Sequence, residues 1–472
     1  MIQKIRKKFS RKLKDKDFSE IFSKSVTGFL ISVVGRLLGF LEQIIISNLY
    51  GAAALGMFRL CFSYLNLVGI FGRFGIDTAT ARYVAQYRKQ GDEQKVKEVF
   101  QKGFRIVTRL AIGLTILLIL AAPLLVKYVY DDKYDPLQFQ IIAFGILFFV
   151  MSGVIEEGLR GLKKIKQYTW INNVSTQALV ICLLLLGLLL EDKTYVINTS
   201  YVIGLAFTFI LGIMYWRKYV PKGKIENPSI STKELINTAL PLLSAKYLTT
   251  LYTLLAIPIL ASFAYVTAAD VGVFSGASRL AAFATMPLIA VNNITGPKFT
   301  EAFAIDDIQL LKKNVKISTR LIFWSCIPIM LVFFLIPKFI LNFWGEEFIT
   351  PKAVLAFHII NIGQIVNFAT GPVTQLLNMT GRQRITQRYA AISTVSSLAL
   401  SFLFIAPWGL GLGIIGAALS IAVGRTILNL GCSMHIYFTM KINTIYNPFA
   451  DLYSILKGKK KNKKSKDGED YE

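Results

Sequence analysis

Gly161-Leu162-Lys163-Lys164-Ile165-Lys166-Gln167 is a short basic turn between two apolar stretches, and it recurs as Gly381-Arg382-Gln383-Arg384-Ile385-Thr386-Gln387. Three of the seven positions are identical, and Lys164 is matched by the like-charged Arg384. The apolar runs flanking each copy are about 20 residues long, the length at which a helix crosses the hydrocarbon core of a bilayer. Windows of that size carried along the whole chain find twelve candidate spans, near 25–48, 55–75, 103–128, 137–158, 169–190, 195–216, 234–262, 268–293, 316–341, 352–377, 388–406 and 411–438. The first copy follows span four and the second follows span ten. A further echo relates Leu55-Gly56-Met57-Phe58, after span one, to Val271-Gly272-Val273-Phe274, after span seven. At the same offset Arg82-Tyr83 falls on Lys298-Phe299. A repeat of six spans is even, so both halves share one orientation and are related by an axis along the membrane normal. Transporters of that design hold their substrate between the halves.

The expected fold is therefore all-α: a polytopic membrane protein of about twelve transmembrane helices in two pseudo-symmetric six-helix lobes. The N-lobe, with a basic N-terminal segment, covers 1–217. A linker covers 218–233, the C-lobe 234–440 and a basic tail 441–472.

Composition agrees with this. Hydrophobic residues make up 54% of the 472 residues and charged residues only 17%, against about 25% charged in soluble domains. Mean hydropathy is +0.51. The net charge of +25, from 53 Lys and Arg against 28 Asp and Glu, is spread between apolar runs, which argues against a nucleic-acid binder. Basic residues fall before span one and after spans two, four, six, eight, ten and twelve; the odd-numbered loops hold almost none beyond Lys133 and Lys193. The positive-inside rule then places both termini in the cytoplasm and the chain in the inner (cytoplasmic) membrane. The first span starts too late and runs too long for a cleavable signal peptide, so it is expected to direct insertion itself.

Cys61, Cys182, Cys326 and Cys432 lie apart in apolar segments, and His358 and His435 are the two histidines. No zinc site, disulfide framework or other cofactor is expected. No GxxxxGK[ST] phosphate loop occurs, so an H+ or Na+ gradient, the membrane potential or product removal would supply energy.

An ionised group at the bilayer centre costs about 2.5–3.5 kcal/mol on insertion scales, so each one needs a reason. On span one, Gly28, Ser32, Gly35, Arg36, Gly39, Glu42, Gln43 and Ser47 share one face. Leu30, Val33, Leu37, Leu41 and Ile44 take the other. Span eight repeats the pattern with Gly272, Ser275, Gly276, Arg279 and Asn293, and span seven with Lys246, Thr249, Thr250 and Thr253. Arg59 lies in the outer part of span two, and Arg425, one turn before Asn429, in the middle of span twelve. For any one of these, a carboxylate or a helix-end carbonyl would be an equal explanation. Taken together, Arg36, Arg59, Lys246, Arg279 and Arg425 are read as a cationic cavity for an anionic headgroup, because guanidinium forks bind phosphate in bidentate fashion. Glu42 and Asp77 are candidates for pairing with these cations or for ion coupling. Residues 448–456 are apolar enough to lie on the membrane, and the lysines after them suit anionic lipid.

Three stretches carry a resemblance: Leu49-Tyr50-Gly51-Ala52-Ala53-Ala54-Leu55-Gly56-Met57-Phe58 with the later Phe74-Gly75-Ile76-Asp77 and Ala81-Arg82-Tyr83-Val84-Ala85; Gly371-Pro372-Val373 leading to Leu377-Asn378-Met379-Thr380-Gly381-Arg382; and Gly411-Leu412-Gly413-Ile414-Ile415-Gly416-Ala417-Ala418. They resemble the polysaccharide flippases of the multidrug/oligosaccharidyl-lipid/polysaccharide exporter superfamily. The resemblance implies a two-lobed transporter, not an enzyme. It would move undecaprenyl-pyrophosphate-linked oligosaccharide from the cytoplasmic to the outer leaflet by alternating access, for O-antigen (lipopolysaccharide), teichoic acid or exopolysaccharide synthesis. Arg279, in Ala277-Ser278-Arg279-Leu280, resembles a phosphate-contacting arginine of the related lipid II flippases, and Arg36 and Arg59 match others. Expected partners are that lipid-linked cargo, membrane lipids and polysaccharide polymerase machinery, with the protein a monomer. A cation-coupled multidrug exporter of the same superfamily is the alternative, opposed by the Arg and Lys in the cavity. A membrane glycosyltransferase or polymerase is disfavoured by outer loops too short to carry acidic catalytic residues.

Overall fold

The computed structural model describes residues 16–220 and 230–447. Every regular element among them is helical. The helices are α1 (Lys16–Tyr50), α2 (Ala52–Arg73), α3 (Ile76–Gln90), α4 (Glu93–Val129), α5 (Pro136–Gly161), α6 (Ile165–Gly187), α7 (Val196–Tyr219) and α8 (Thr232–Ala261). There follow α9 (Ala268–Phe283), α10 (Met286–Ala304), α11 (Ile308–Leu335), α12 (Pro351–Thr370), α13 (Val373–Met379), α14 (Gln383–Ile405) and α15 (Ile414–Met440).

Ten of these helices are long and apolar enough to cross a membrane, and α9 with α10 makes an eleventh span if taken as one rod. The 30-residue α8 occupies the place of span seven. The protein is thus a multi-pass, all-helical membrane protein. Three features depart from straight rods. Phe74 and Gly75 take left-handed backbone conformations after α2 and open a separate amphipathic helix, α3, which apolar windows pass over. Span eight breaks between Phe283 and Met286 with a bend of 42°, next to Pro287. The stripe expected to run unbroken from Gly272 to Asn293 is therefore cut. Within α6, residues Ile171–Ser175 widen into a π-helical turn, a form often found where a helix must accommodate a neighbour or a ligand.

The chain divides into two compact units that do not coincide with the sequence halves. The first comprises Met1–Arg279, Leu341–Val354 and Ser401–Ala417; the second comprises Leu280–Ile340, Leu355–Leu400 and Ala418–Glu472. The first unit therefore takes in α8, α9 as far as Arg279 and two connections from the charge-poor side. Glycine contact explains part of this. A Cβ on Gly56 of α2 would lie 1.8 Å from the Ala268 carbonyl oxygen, and one on Gly272 of α9 would lie 2.0 Å from that of Ala52. Small residues let these two backbones touch, as is usual where helices pack in lipid. Lys133, one of the few cations on the charge-poor side, donates from Nζ to the carbonyls of Ala261, Phe263 and Val266 at 2.7, 3.0 and 2.8 Å.

The second unit has its own core on the basic side. Phe299, Leu311, Val315, Leu376, Leu377, Cys432 and Ile436 pack there with Ile442, which follows the end of α15. The linker residues 221–229, the N-terminal residues 1–15 and the tail beyond Asn447 lie outside the described residues.

Candidate functional site

The two faces of α1 separate as amphipathic periodicity requires. Leu30, Leu37 and Leu41 are exposed, as residues meeting lipid are. Gly35, Gly39, Glu42, Gln43 and Ser47 are buried. The glycines set how near other helices come. A Cβ on Gly35 would stand 2.3 Å from the carbonyl oxygen of Asn173, inside the π turn of α6. A Cβ on Gly39 would stand 3.1 Å from Nη2 of Arg279 and 3.8 Å from Gln177. Gly39 is therefore the notch through which the Arg279 side chain passes along α1.

Glu42 lies one turn beyond Gly39 and is only 4% exposed. Its strongest electrostatic neighbours are Arg279, from α9, and Arg59, from α2. Arg59 and Arg279 also act on one another, and the Tyr201 hydroxyl of α7 lies in the field of all three charges. Arg36 adds a further positive charge beside Arg279 and is itself exposed. Two arginines thus act on one carboxylate, with Arg36 adding charge beside Arg279, which leaves the cluster with an excess of positive charge. The buried Nε of Arg59 has no hydrogen-bond partner among the described residues, nor has the Gln43 Oε1. A buried polar atom left unmatched costs about 1–3 kcal/mol, so these atoms are available to a ligand or to water.

Aromatic rings line the same place. Phe58 and Phe62 meet Tyr201 at centroid distances of 5.3 and 5.5 Å, and the Arg59 guanidinium lies 5.0 Å from the Phe62 centroid. Between α6 and α7, the Thr208 hydroxyl shares hydrogen bonds with Ser175 at 2.9 Å and Thr176 at 2.8 Å. Asn172 donates to Glu156 at 2.8 Å.

Arg36, Arg59, Arg279 and Glu42 are thus brought together. Lys246 lies on α8, with its side chain outside the described residues, as are those of Thr249, Thr250 and Thr253. Arg425 belongs to the second unit, where it is partly buried and its carbonyl accepts from Asn429 at 2.9 Å. Asp77 stands apart from the cluster, 2% exposed in the first turn of α3 and 4.0 Å from Arg73. Arg73 does not snorkel towards water. It donates to the Phe149 carbonyl at 2.9 Å and packs over the Phe149 ring.

Sequence reasoning passed over Tyr201, Phe62 and Gln177. Each sits in a long apolar run without a periodic signal, and only the packing of α7, α2 and α6 around α1 reveals it.

A family model described as polysaccharide biosynthesis protein matches residues 21–303, more than half of the chain. Stage V sporulation protein B of Bacillus subtilis (strain 168) is 20% identical over 424 residues, covering 84% of this chain and 80% of that protein. Among solved structures, the inward-facing conformation of a multidrug resistance MATE family transporter aligns with a TM-score of 0.72 at 14% identity, over 88% of this chain and 98% of that one. The lipid II flippase MurJ, in an inward closed conformation, aligns with a TM-score of 0.69 at 14% identity, over 87% of each chain. At such identities the structural likeness establishes the fold.

Proposed function

The chain belongs to the polysaccharide biosynthesis protein family, and from that premise we propose that it is a flippase for undecaprenyl-pyrophosphate-linked oligosaccharide. It is a multi-pass membrane transporter of the multidrug/oligosaccharidyl-lipid/polysaccharide superfamily rather than an enzyme. In the proposed reading it lies in the inner membrane with both termini cytoplasmic, and carries its cargo to the outer leaflet by alternating access.

The observation that carries the reading is the arginine excess around Glu42. Guanidinium forks make short, charge-assisted bonds to phosphate oxygens, and burial strengthens them. Arg59 and Arg279 would hold the pyrophosphate, with exposed Arg36 meeting it first. Glu42 offsets the charge of the two half-buried arginines. Phe62 offers a partly exposed ring face for sugars, backed by the buried Phe58 and Tyr201, and the polyprenyl tail would remain in the bilayer. Such a site opposes cationic drugs. An inside-negative membrane potential favours outward movement of an anionic headgroup by about 2.3 kcal/mol per charge per 100 mV. That is a driving force even without coupling to H+ or Na+. Polysaccharide polymerase machinery would take over the delivered cargo.

Reconstitution into liposomes containing a fluorescent undecaprenyl-pyrophosphate oligosaccharide tests the proposal. Protein-dependent leaflet exchange that rises with an inside-negative potential is the expected result. Absence of exchange with every undecaprenyl-linked glycan, together with export of cationic dyes, would replace it with the drug-exporter reading.

A further inference from the structure

A second cationic site lies in the other unit, away from the Glu42 cluster in sequence and on a different set of helices. Lys312 and Lys316 are one turn apart on α11, so their ammonium groups rise from the same face. The neighbouring Leu311 and Val315 are fully buried in the core of the second unit, which fixes the helix beneath the lysines. After α15 the chain turns back through Lys441, in a left-handed conformation, and runs as an irregular strap from Ile442 to Asn447. Ile442 is anchored in the same core. The Thr444 hydroxyl shares a 2.7 Å hydrogen bond with Ser433, and the Tyr446 amide donates to the Ala369 carbonyl at 2.9 Å. The Tyr446 hydroxyl accepts from the Trp324 indole at 2.9 Å.

Helix and strap form a half-open pocket of about 330 Å³ lined by Lys312, Lys316, Thr319, Asn443, Thr444 and Asn447, with Ile442, Ile445 and Tyr446 completing the wall. At about 30 Å³ per water, that is room for about ten waters, and so for a phosphate with a small polar ester. No carboxylate lines it, and neither lysine has an ion pair among the described residues. Two ammonium groups on one pocket, with the side-chain amides of Asn443 and Asn447 beside them, suit a phosphate oxygen better than a neutral ligand. Lys316 stands where the apolar run of residues 316–341 begins, so the pocket opens at the end of a candidate span, where a lipid headgroup can reach it.

We propose that this cavity binds the phosphodiester headgroup of an anionic lipid in the leaflet on the basic side. The bound lipid pins the strap to α11. The proposal is independent of the transported cargo, since no residue of the Glu42 cluster takes part.

The full-length protein, purified in detergent, is titrated with short-chain phosphatidylglycerol and followed by native mass spectrometry. Phosphatidylcholine and glycerol 3-phosphate serve as separate probes. The expected result is one retained phosphatidylglycerol, weakened about tenfold in Lys312→Gln and in Lys316→Gln, and about a hundredfold in the double variant. Lys166→Gln with Lys313→Gln, an equal loss of charge at exposed sites, is expected to bind as the wild type does. Equal retention by the double variant and the wild type would overturn the site, as would equal binding of phosphatidylcholine. Competition by glycerol 3-phosphate at the same concentration as the lipid would overturn the lipid assignment and give the pocket to a soluble phosphate ester.

Discussion

Gly56 and Gly272 face each other so closely that a Cβ on Gly56 would stand 2.8 Å from the Gly272 nitrogen, and one on Gly272 3.1 Å from the Gly56 nitrogen. They are equivalent residues of the two echoing tetrapeptides, so one element of the internal repeat is also a contact between its copies. Leu55, Phe58, Val271 and Phe274, from the same tetrapeptides, are all buried around it.

Side chains at either glycine must push two backbones apart, since carbonyl oxygens rather than flexible side chains stand in the way. Overpacking of this kind costs about 1–3 kcal/mol, or more when the backbone has to move. Gly56→Val and Gly272→Val are each expected to lower the thermal unfolding midpoint in detergent by about 3 °C or more. A midpoint unchanged in both variants would show that the helices separate without cost.

The Glu42 cluster makes a prediction that separates stability from transport. Glu42→Ala removes the carboxylate facing Arg59 and Arg279. Breaking a buried charge arrangement from one side costs about 3–5 kcal/mol. Adding Arg59→Ala is expected to restore part of that loss, as a double-mutant cycle of unfolding free energies would show. Strict additivity would mean that the two residues do not interact.

Arg36→Ala should behave differently, because Arg36 is exposed and stabilises little. Its midpoint is expected to stay within about 1 °C of wild type, as for most surface substitutions. Translocation of the pyrophosphate-linked probe is expected to fall by about tenfold or more, the scale of one charge-assisted phosphate contact. Arg279→Ala should lose both, since Arg279 is the foremost charge acting on Glu42 and is also the proposed cargo contact. Normal transport in both variants would remove the arginines from the site.

Much of this was legible in the sequence, for reasons that also mark where legibility ended. A span of about 20 apolar residues is a local signal, and basic loops punctuate it, so the helices fall close to the expected places. Most of the inner face of α1 followed from periodicity, although Arg36, expected on that face, is exposed. What meets that face did not follow. Arg279 and Arg59 reach Glu42 from other helices, and nothing in a single helix's periodicity names its neighbours. The α3 helix is polar enough to read as loop, and the π turn at Ile171–Ser175 carries no compositional mark. The division into units was also hidden, because it depends on glycine contacts and on Lys133.

Lys133 supplies the next prediction. Its ammonium group gives a hydrogen bond to each of three carbonyls at and beyond the C-terminus of α8. The Ala261 carbonyl is one that a helix end leaves unmatched, and a cation there also meets the negative end of the helix dipole. Lys133→Met keeps the length and removes the donors. A cost of about 1–3 kcal/mol is expected, with faster amide hydrogen exchange across residues 262–267. Exchange in that segment equal to wild type would show that water replaces the lysine without loss.

Asp92 gives the pH dependence. It caps α4 by accepting from the Lys95 amide at 2.9 Å, and its carboxylate also pairs with the Lys95 ammonium at 3.1 Å. The backbone hydrogen bond, first, and the Lys95 side chain, second, hold the carboxyl below its ordinary value of 3.8. Between that lowered value and 3.8 the folded protein binds fewer protons than the unfolded chain. Unfolding therefore takes up protons, and the contribution of Asp92 to stability is present above 3.8 and declines as pH falls through the lowered value. Asp92→Asn retains a good cap without the charge. Unfolding midpoints of wild type and Asp92→Asn, measured from pH 6 down to pH 2, are expected to differ most at the upper end and to converge at the lower. A constant difference across the range would mean that the carboxylate charge contributes nothing to the cap.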